Sequence, residues 1–260
     1  MIAVVIISHG PAQSAALSRF PSDTFSEAVG VVVVGPDSVA PSFPCILVYP
    51  SDVAGFNAGA NRDKGLQAAS EMWPGCDVIF LDGDCTPSAT WLYSHRAMLE
   101  CDEPVVSCGM RVESGRPDPR TLPLSWRGAN YAPSMGHKNL ALHDIAAHRA
   151  AWSCNLGINR AALTLIQDAG EKLHGSRRIF SPEFDGRWGG EDTALGIVAH
   201  LVGCKVVTLG EASAVDHAPH DPFNVSRINL DKIPEYADRV CEILYICDRG
   251  ESVSTERNEA

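Results

Sequence analysis

Five runs in the first 110 residues are apolar at nearly every position, and each is followed within three residues by a glycine, proline or aspartate. They are Ala3 to Ile7, Val29 to Val34, Cys45 to Tyr49, Val78 to Leu81 and Pro104 to Cys108. A strand that faces water on one side alternates apolar and polar residues. A strand apolar throughout is covered on both faces, as in a parallel sheet. Helical spacing fills two of the gaps, from Asn57 to Met72 and from Ser88 to Glu100, the latter behind Thr86-Pro87 as cap and early proline. The β-α-β-α order predicts an α/β fold with a Rossmann-like, mostly parallel sheet flanked by helices in a single domain. Ligands of such sheets bind beyond the carboxyl ends of the strands, so the punctuation after each run is where chemistry is expected.

The second half is less regular. Residues 111–139 are rich in Arg, Pro, Gly and Ser and read as a long, flexible surface loop. After it, Ser153 to Asn159 leads into a helix from Arg160 to Ala169, and a loop spans Gly170 to Gly190. Helix is expected from Asp192 to Val202, strand from Lys205 to Leu209 and helix across Asp231 to Cys247, with residues 248–260 a frayed tail. The nine cysteines lack a CxxC pair and read as free thiols in a reducing compartment. The opening apolar run is too short for a membrane span, which needs about 20 residues, and reads as a buried strand. A soluble, cytoplasmic protein is expected. The formal net charge of -11 argues against a broad nucleic-acid face.

Four segments carry chemistry. Phe80-Leu81-Asp82-Gly83-Asp84 delivers two carboxylates at the end of a buried strand, where oxygen ligands suit Mg²⁺ or Mn²⁺ bridging to a diphosphate; Asp-Gly is equally a turn. Trp188-Gly189-Gly190-Glu191-Asp192 places two acids at a helix start, where they are stabilised as anions; helix capping is the alternative. Val215-Asp216-His217-Ala218-Pro219-His220 offers an imidazole as a further metal ligand. Gly55 to Gly65 has small residues for close backbone approach, and Arg62 for a base or phosphate.

In order and spacing these segments resemble the metal-dependent GT-A glycosyltransferases, especially family 2 and the β-1,4-galactosyltransferase and polypeptide N-acetylgalactosaminyltransferase catalytic domains. Asp82-Gly83-Asp84 matches the DxD motif, Trp188 to Asp192 is similar to the WGGED segment, and Cys154 to Arg160 resembles the junction upstream of it. His217 lies 25 residues after Asp192, about where the family places its third metal ligand. The resemblance covers roughly residues 1 to 220. Two segments depart from the pattern: Ser8-His9-Gly10-Pro11, and Gly35-Pro36-Asp37-Ser38 at a position that commonly touches the nucleobase.

The resemblance implies transfer of a sugar from a nucleoside-diphosphate sugar, UDP-linked, to an acceptor hydroxyl with inversion; the retaining course of the N-acetylgalactosaminyltransferases is the alternative. Residues 1–110 would bind the nucleotide-sugar donor and residues 140–247 the acceptor. Asp192 is the implied general base, and Glu191 is implied to position a sugar or acceptor hydroxyl. Asp37, Arg62, Asp82, Asp84, Trp188 and Gly190 are the implied donor-binding set. Asp84, Asp82 and His217, or His220 in its place, are the implied ligands of Mn²⁺ or Mg²⁺. Trp188 serves either as a plate for a sugar ring or in core packing. The acceptor is a glycan or small molecule; a hydroxylated base in DNA, read through Arg111, Arg116, Arg120 and Arg127, or a protein side chain is the rival. A non-catalytic nucleotide-sugar-binding module is the second rival.

Overall fold

The computed structural model describes residues 1–8, 17, 20, 23–28, 30–35, 41–50, 57–113, 116–117, 151, 153–186, 189–216 and 232–248. The first four strands are β1 (Ile2–Ile7), β2 (Gly30–Val34), β3 (Ile46–Val48) and β4 (Asp77–Asp82), all parallel, in the spatial order β3-β2-β1-β4. Helix α1 (Ala58–Met72) connects β3 to β4. The apolarity of β1, β2 and β4 follows from their pleat, whereas β3, at the sheet edge, leaves Leu47 55% exposed, so the expected cover on both faces is not found for the Cys45 to Tyr49 run. Ala3, Val5 and Ile7 enter the cluster that contains Val78, Phe80 and Leu66, while Ile2, Val4 and Ile6 enter another with Ile79, Leu81, Phe25 and Trp91. Successive side chains of one strand thus fill two separate cores.

Beyond β4 the sheet is mixed. β8 (Asn155–Ile158) lies antiparallel between β4 and β6 (Val105–Glu113), and β9 (Lys205–Asp216) runs parallel to β6. β5 (Cys85–Pro87) pairs antiparallel with β9, and β7 (Arg116–Pro117) with β6. Apolar runs do not encode strand direction, so the reversal at β8 is visible only in the pairing. The order β4-β8-β6-β9-β5 sets four strand spacings, roughly 19 Å in a flat sheet, between β4 and β5. Yet only Gly83 and Asp84 join them, and the three peptide links from Asp82 to Cys85 reach no more than about 11 Å. The sheet therefore curls, and Asp82-Gly83-Asp84 is the link across its open rim.

The remaining helices are α2 (Trp91–Leu99), α3 (Arg160–His174), α4 (Glu191–Leu201) and α5 (Ile233–Asp248). Four boundaries differ from the sequence expectation. Thr86-Pro87 belong to edge strand β5, where proline's missing N–H is tolerated, and Thr90 is the cap position of α2. Helix α3 runs on to His174 because Leu173 packs against the core. β9 continues to Asp216, with β5 and β6 on its two sides. Among the described residues, β6 continues through 113 inside the expected 111–139 loop. No helix among the described residues is long and apolar enough to cross a membrane, and the described cysteine side chains are free thiols.

Candidate active site

Three elements bring acids to one guanidinium. Asp82 closes β4, Glu191 and Asp192 open α4, and Arg62 stands in the second turn of α1. Arg62 Nη2 donates to Asp82 Oδ1 at 2.7 Å. Its Nη1 lies 3.5 Å from Glu191 Oε1 and 3.9 Å from Asp192 Oδ1. The Arg62 side chain is only 4% exposed and sits over the Phe180 ring, 5.8 Å from its centroid. Burial disfavours the cation, but Asp82, Asp192 and Glu191 more than offset it and raise its proton affinity.

Two glycines lead into α4. Gly190 is the cap residue, with φ 96°, and Gly189 before it has φ 83°. Both lie in the left-handed region that favours glycine, and the cap residue itself has no side chain to offer the helix. Glu191 and Asp192, which follow, both reach the tertiary partner Arg62, while the positive end of the helix favours their charge. Their surroundings differ. The Glu191 side chain is 10% exposed, and its buried Oε2 has no hydrogen-bond partner among the described residues. Burial pushes its proton affinity up, helped by the Asp192 charge. The Asp192 side chain is 24% exposed. Burial raises its proton affinity too, opposed by Arg62 and by the hydroxyl of Ser153, which donates to Oδ1.

Asp84, beyond the turn, is buried, and the Cys85 thiol lies 3.7 Å from its Oδ1. The pairing of Cys85 with Asp216 brings the end of β9 beside it. The residue after Asp216 is His217, which lies with His220, Asp37 and Trp188 outside the described residues. Among the described residues no three His, Cys, Asp or Glu side chains form a metal-binding group. The carboxylates of Asp82 and Asp84 are hard oxygen donors at one strand end, a donor type that fits Mg²⁺ or Mn²⁺.

Several supporting residues carry no sequence signal. Arg178 donates from Nε to Asp63 at 2.9 Å and through both Nη atoms to Asp185 at 2.7 and 3.0 Å. Asn57 Oδ1 accepts from Gly186 N at 2.7 Å. Helix α1 thus grips the segment that leads to Gly189-Gly190 while its Arg62 holds the acids that follow. Ser153 also lies far in sequence from its partner, and only an interior contact reveals it; Asn155 stands in the Cys154 to Arg160 segment that the sequence singled out, but its partners were not legible there.

No protein-family model matches the chain, and no curated protein matches its sequence. Solved structures do match. S. aureus TarS in complex with UDP-GlcNAc superposes with a TM-score of 0.50 at 15% identity, over 98% of this chain and 76% of that one. GalNAc-T7 with UDP, GalNAc and Mn²⁺ gives 0.52 at 13% identity, over 93% of this chain and 47% of that one. A mycobacterial protein gives 0.52 at 14% identity, over 93% and 75%. This chain thus spans about half of the GalNAc-T7 chain. At such identities the likeness is one of fold: the molecule has the GT-A architecture, a curled mixed α/β sheet flanked by helices.

Proposed function

We propose that the chain is a metal-dependent glycosyltransferase that moves a sugar from a UDP-sugar to an acceptor hydroxyl with inversion. One observation carries the reading: Asp82 of the DxD turn and both acids behind the paired glycines share Arg62 at the carboxyl edge of a GT-A sheet. That TarS is seen with UDP-GlcNAc, and GalNAc-T7 with UDP and Mn²⁺, supports the donor and metal classes.

In this reading Asp82 and Asp84, with His217 or His220, would hold Mn²⁺ or Mg²⁺. The bound cation supplies Lewis-acid stabilisation of the leaving nucleoside diphosphate. Asp192 takes the proton of the acceptor hydroxyl, because its side chain is the more open of the helix-start pair, 24% exposed against 10% for Glu191. Glu191, turned onto Arg62, orients the sugar or acceptor from beneath. Arg62 holds the acids in one cluster by offsetting part of their charge. Asp37 reads the nucleobase, and Trp188 and Gly190 flank the donor sugar. The acceptor is a glycan or a small molecule.

The test is thermal unfolding with UDP-GlcNAc, UDP-GalNAc or UDP-galactose, each with and without Mn²⁺. Saturation at a hundred times Kd adds about 3 kcal/mol to the folded state. A rise in Tm that needs both nucleotide sugar and Mn²⁺ is expected. Asp192→Asn keeps that rise and lowers sugar transfer about a hundredfold or more. A Tm that none of the pairs moves overturns the reading.

A further inference from the structure

Ser153 is fully buried, yet it is polar. A buried hydroxyl needs a partner, and its proton goes to Asp192 Oδ1, across 39 positions of sequence. Through the next residue, the same segment meets the other acid motif: Asp82 N donates to the Cys154 carbonyl at 3.2 Å. One residue further on, Asn155 is fixed on four sides. It accepts from Trp91 Nε1 at 2.7 Å and His95 Nε2 at 2.9 Å, and donates to the carbonyls of Ala212 at 2.7 Å and Met110 at 3.2 Å. Residues 153–155 are thus a rigid support touching both acid motifs.

We infer that Ser153 is a positioning residue for Asp192: its hydroxyl and backbone N–H fix the carboxylate in the orientation from which it takes the acceptor's proton. This rests on the function proposed above. Ser153 holds the Asp192 carboxylate through both its hydroxyl, which donates to Oδ1, and its backbone N–H, and Arg62 approaches Oδ1 as well. An ionised carboxylate accepts hydrogen bonds and cannot donate them. A hydroxyl aimed at it therefore favours the charged, basic form against the opposing pull of burial.

The experiment compares wild type with Ser153→Ala and Ser153→Thr, using UDP-GlcNAc and Mn²⁺ with water as the acceptor and UDP release as the readout. Binding of UDP with Mn²⁺, followed by calorimetry, reports that each variant is folded. Ser153→Ala is expected to keep Kd for UDP within twofold and to lower kcat about tenfold to a hundredfold, the loss of one hydrogen bond to a charged group. The acid limb of its kcat/KM profile moves to higher pH, and Ser153→Thr restores both kcat and the limb. Unchanged kcat and pH profile in Ser153→Ala overturn the inference. Carbon-13 NMR of the Asp192 carboxyl gives a readout independent of transfer. Titration at higher pH in Ser153→Ala than in wild type supports the contact, and an unmoved titration overturns it. If wild type releases no UDP but the NMR titration moves, the sugar-transfer reading fails while the Ser153–Asp192 contact stands.

Discussion

Arg62 is one cation among three acids, almost without access to water. Removing one member of a buried charge set costs far more than the set contributes, because the remaining charges lose their compensation. Arg62→Ala is therefore expected to destabilise the fold by about 3 kcal/mol or more, lowering Tm by roughly 10 °C as measured by calorimetry. Arg62→Lys recovers only part of this, since an ammonium cannot fork between Asp82 and Glu191 as a guanidinium does. The sequence named Arg62 as a donor ligand; the structure shows its guanidinium turned to protein carboxylates. Its residue type was legible, but its partners were not. They lie 20 and 129 positions away in the chain.

At the scale of elements, the curl of the sheet depends on contact across a strand. β8 and β9 flank β6, yet the Asn155 side chain of β8 reaches the Ala212 carbonyl of β9. It passes over Gly109 of β6, where any Cβ would overlap both Asn155 Nδ2 and the Ala212 carbonyl oxygen. Here β9 also bulges: from Gly109 to Arg111 β6 advances by two residues while its partner runs from Leu209 to Ala214. Gly109→Ala is expected to break this clasp and strand a buried amide, costing about 2 to 3 kcal/mol. Chemical denaturation would show it as a lower midpoint at an unchanged slope. If the denaturation midpoint of Gly109→Ala equals that of wild type, the clasp does not hold the curl. In sequence Gly109 reads as mere punctuation after an apolar run, because a cross-strand approach has no local signature.

For the molecule as a whole, His95 ties α2 to the centre of the sheet. Its ring meets Ser107 Oγ at 2.8 Å and Asn155 Oδ1 at 2.9 Å, and burial pulls its pKa down to about 4 from the ordinary 6.5. Above pH 6.5 the ring is neutral folded and unfolded, so its contribution is complete. Between 6.5 and 4 the unfolded chain takes up a proton that the folded state excludes, and stability falls with pH, by about 3 kcal/mol in all. Denaturant melts at several pH values should show a flatter acid limb for His95→Gln than for wild type. The subtraction also separates His95 from Glu191, whose raised proton affinity acts in the opposite sense, lowering stability as pH rises past the ordinary carboxylate range. The apolar runs settled the layered α/β fold from sequence alone, because a strand covered on both faces must be apolar at every position. The spacing of Asp82, Glu191 and Asp192 marked the acids by the same local reading. Strand direction at β8, the curl, the Arg62 cluster and the Ser153 support came only with tertiary structure. Each depends on which distant segments meet, and no local pattern in a chain records its long-range contacts.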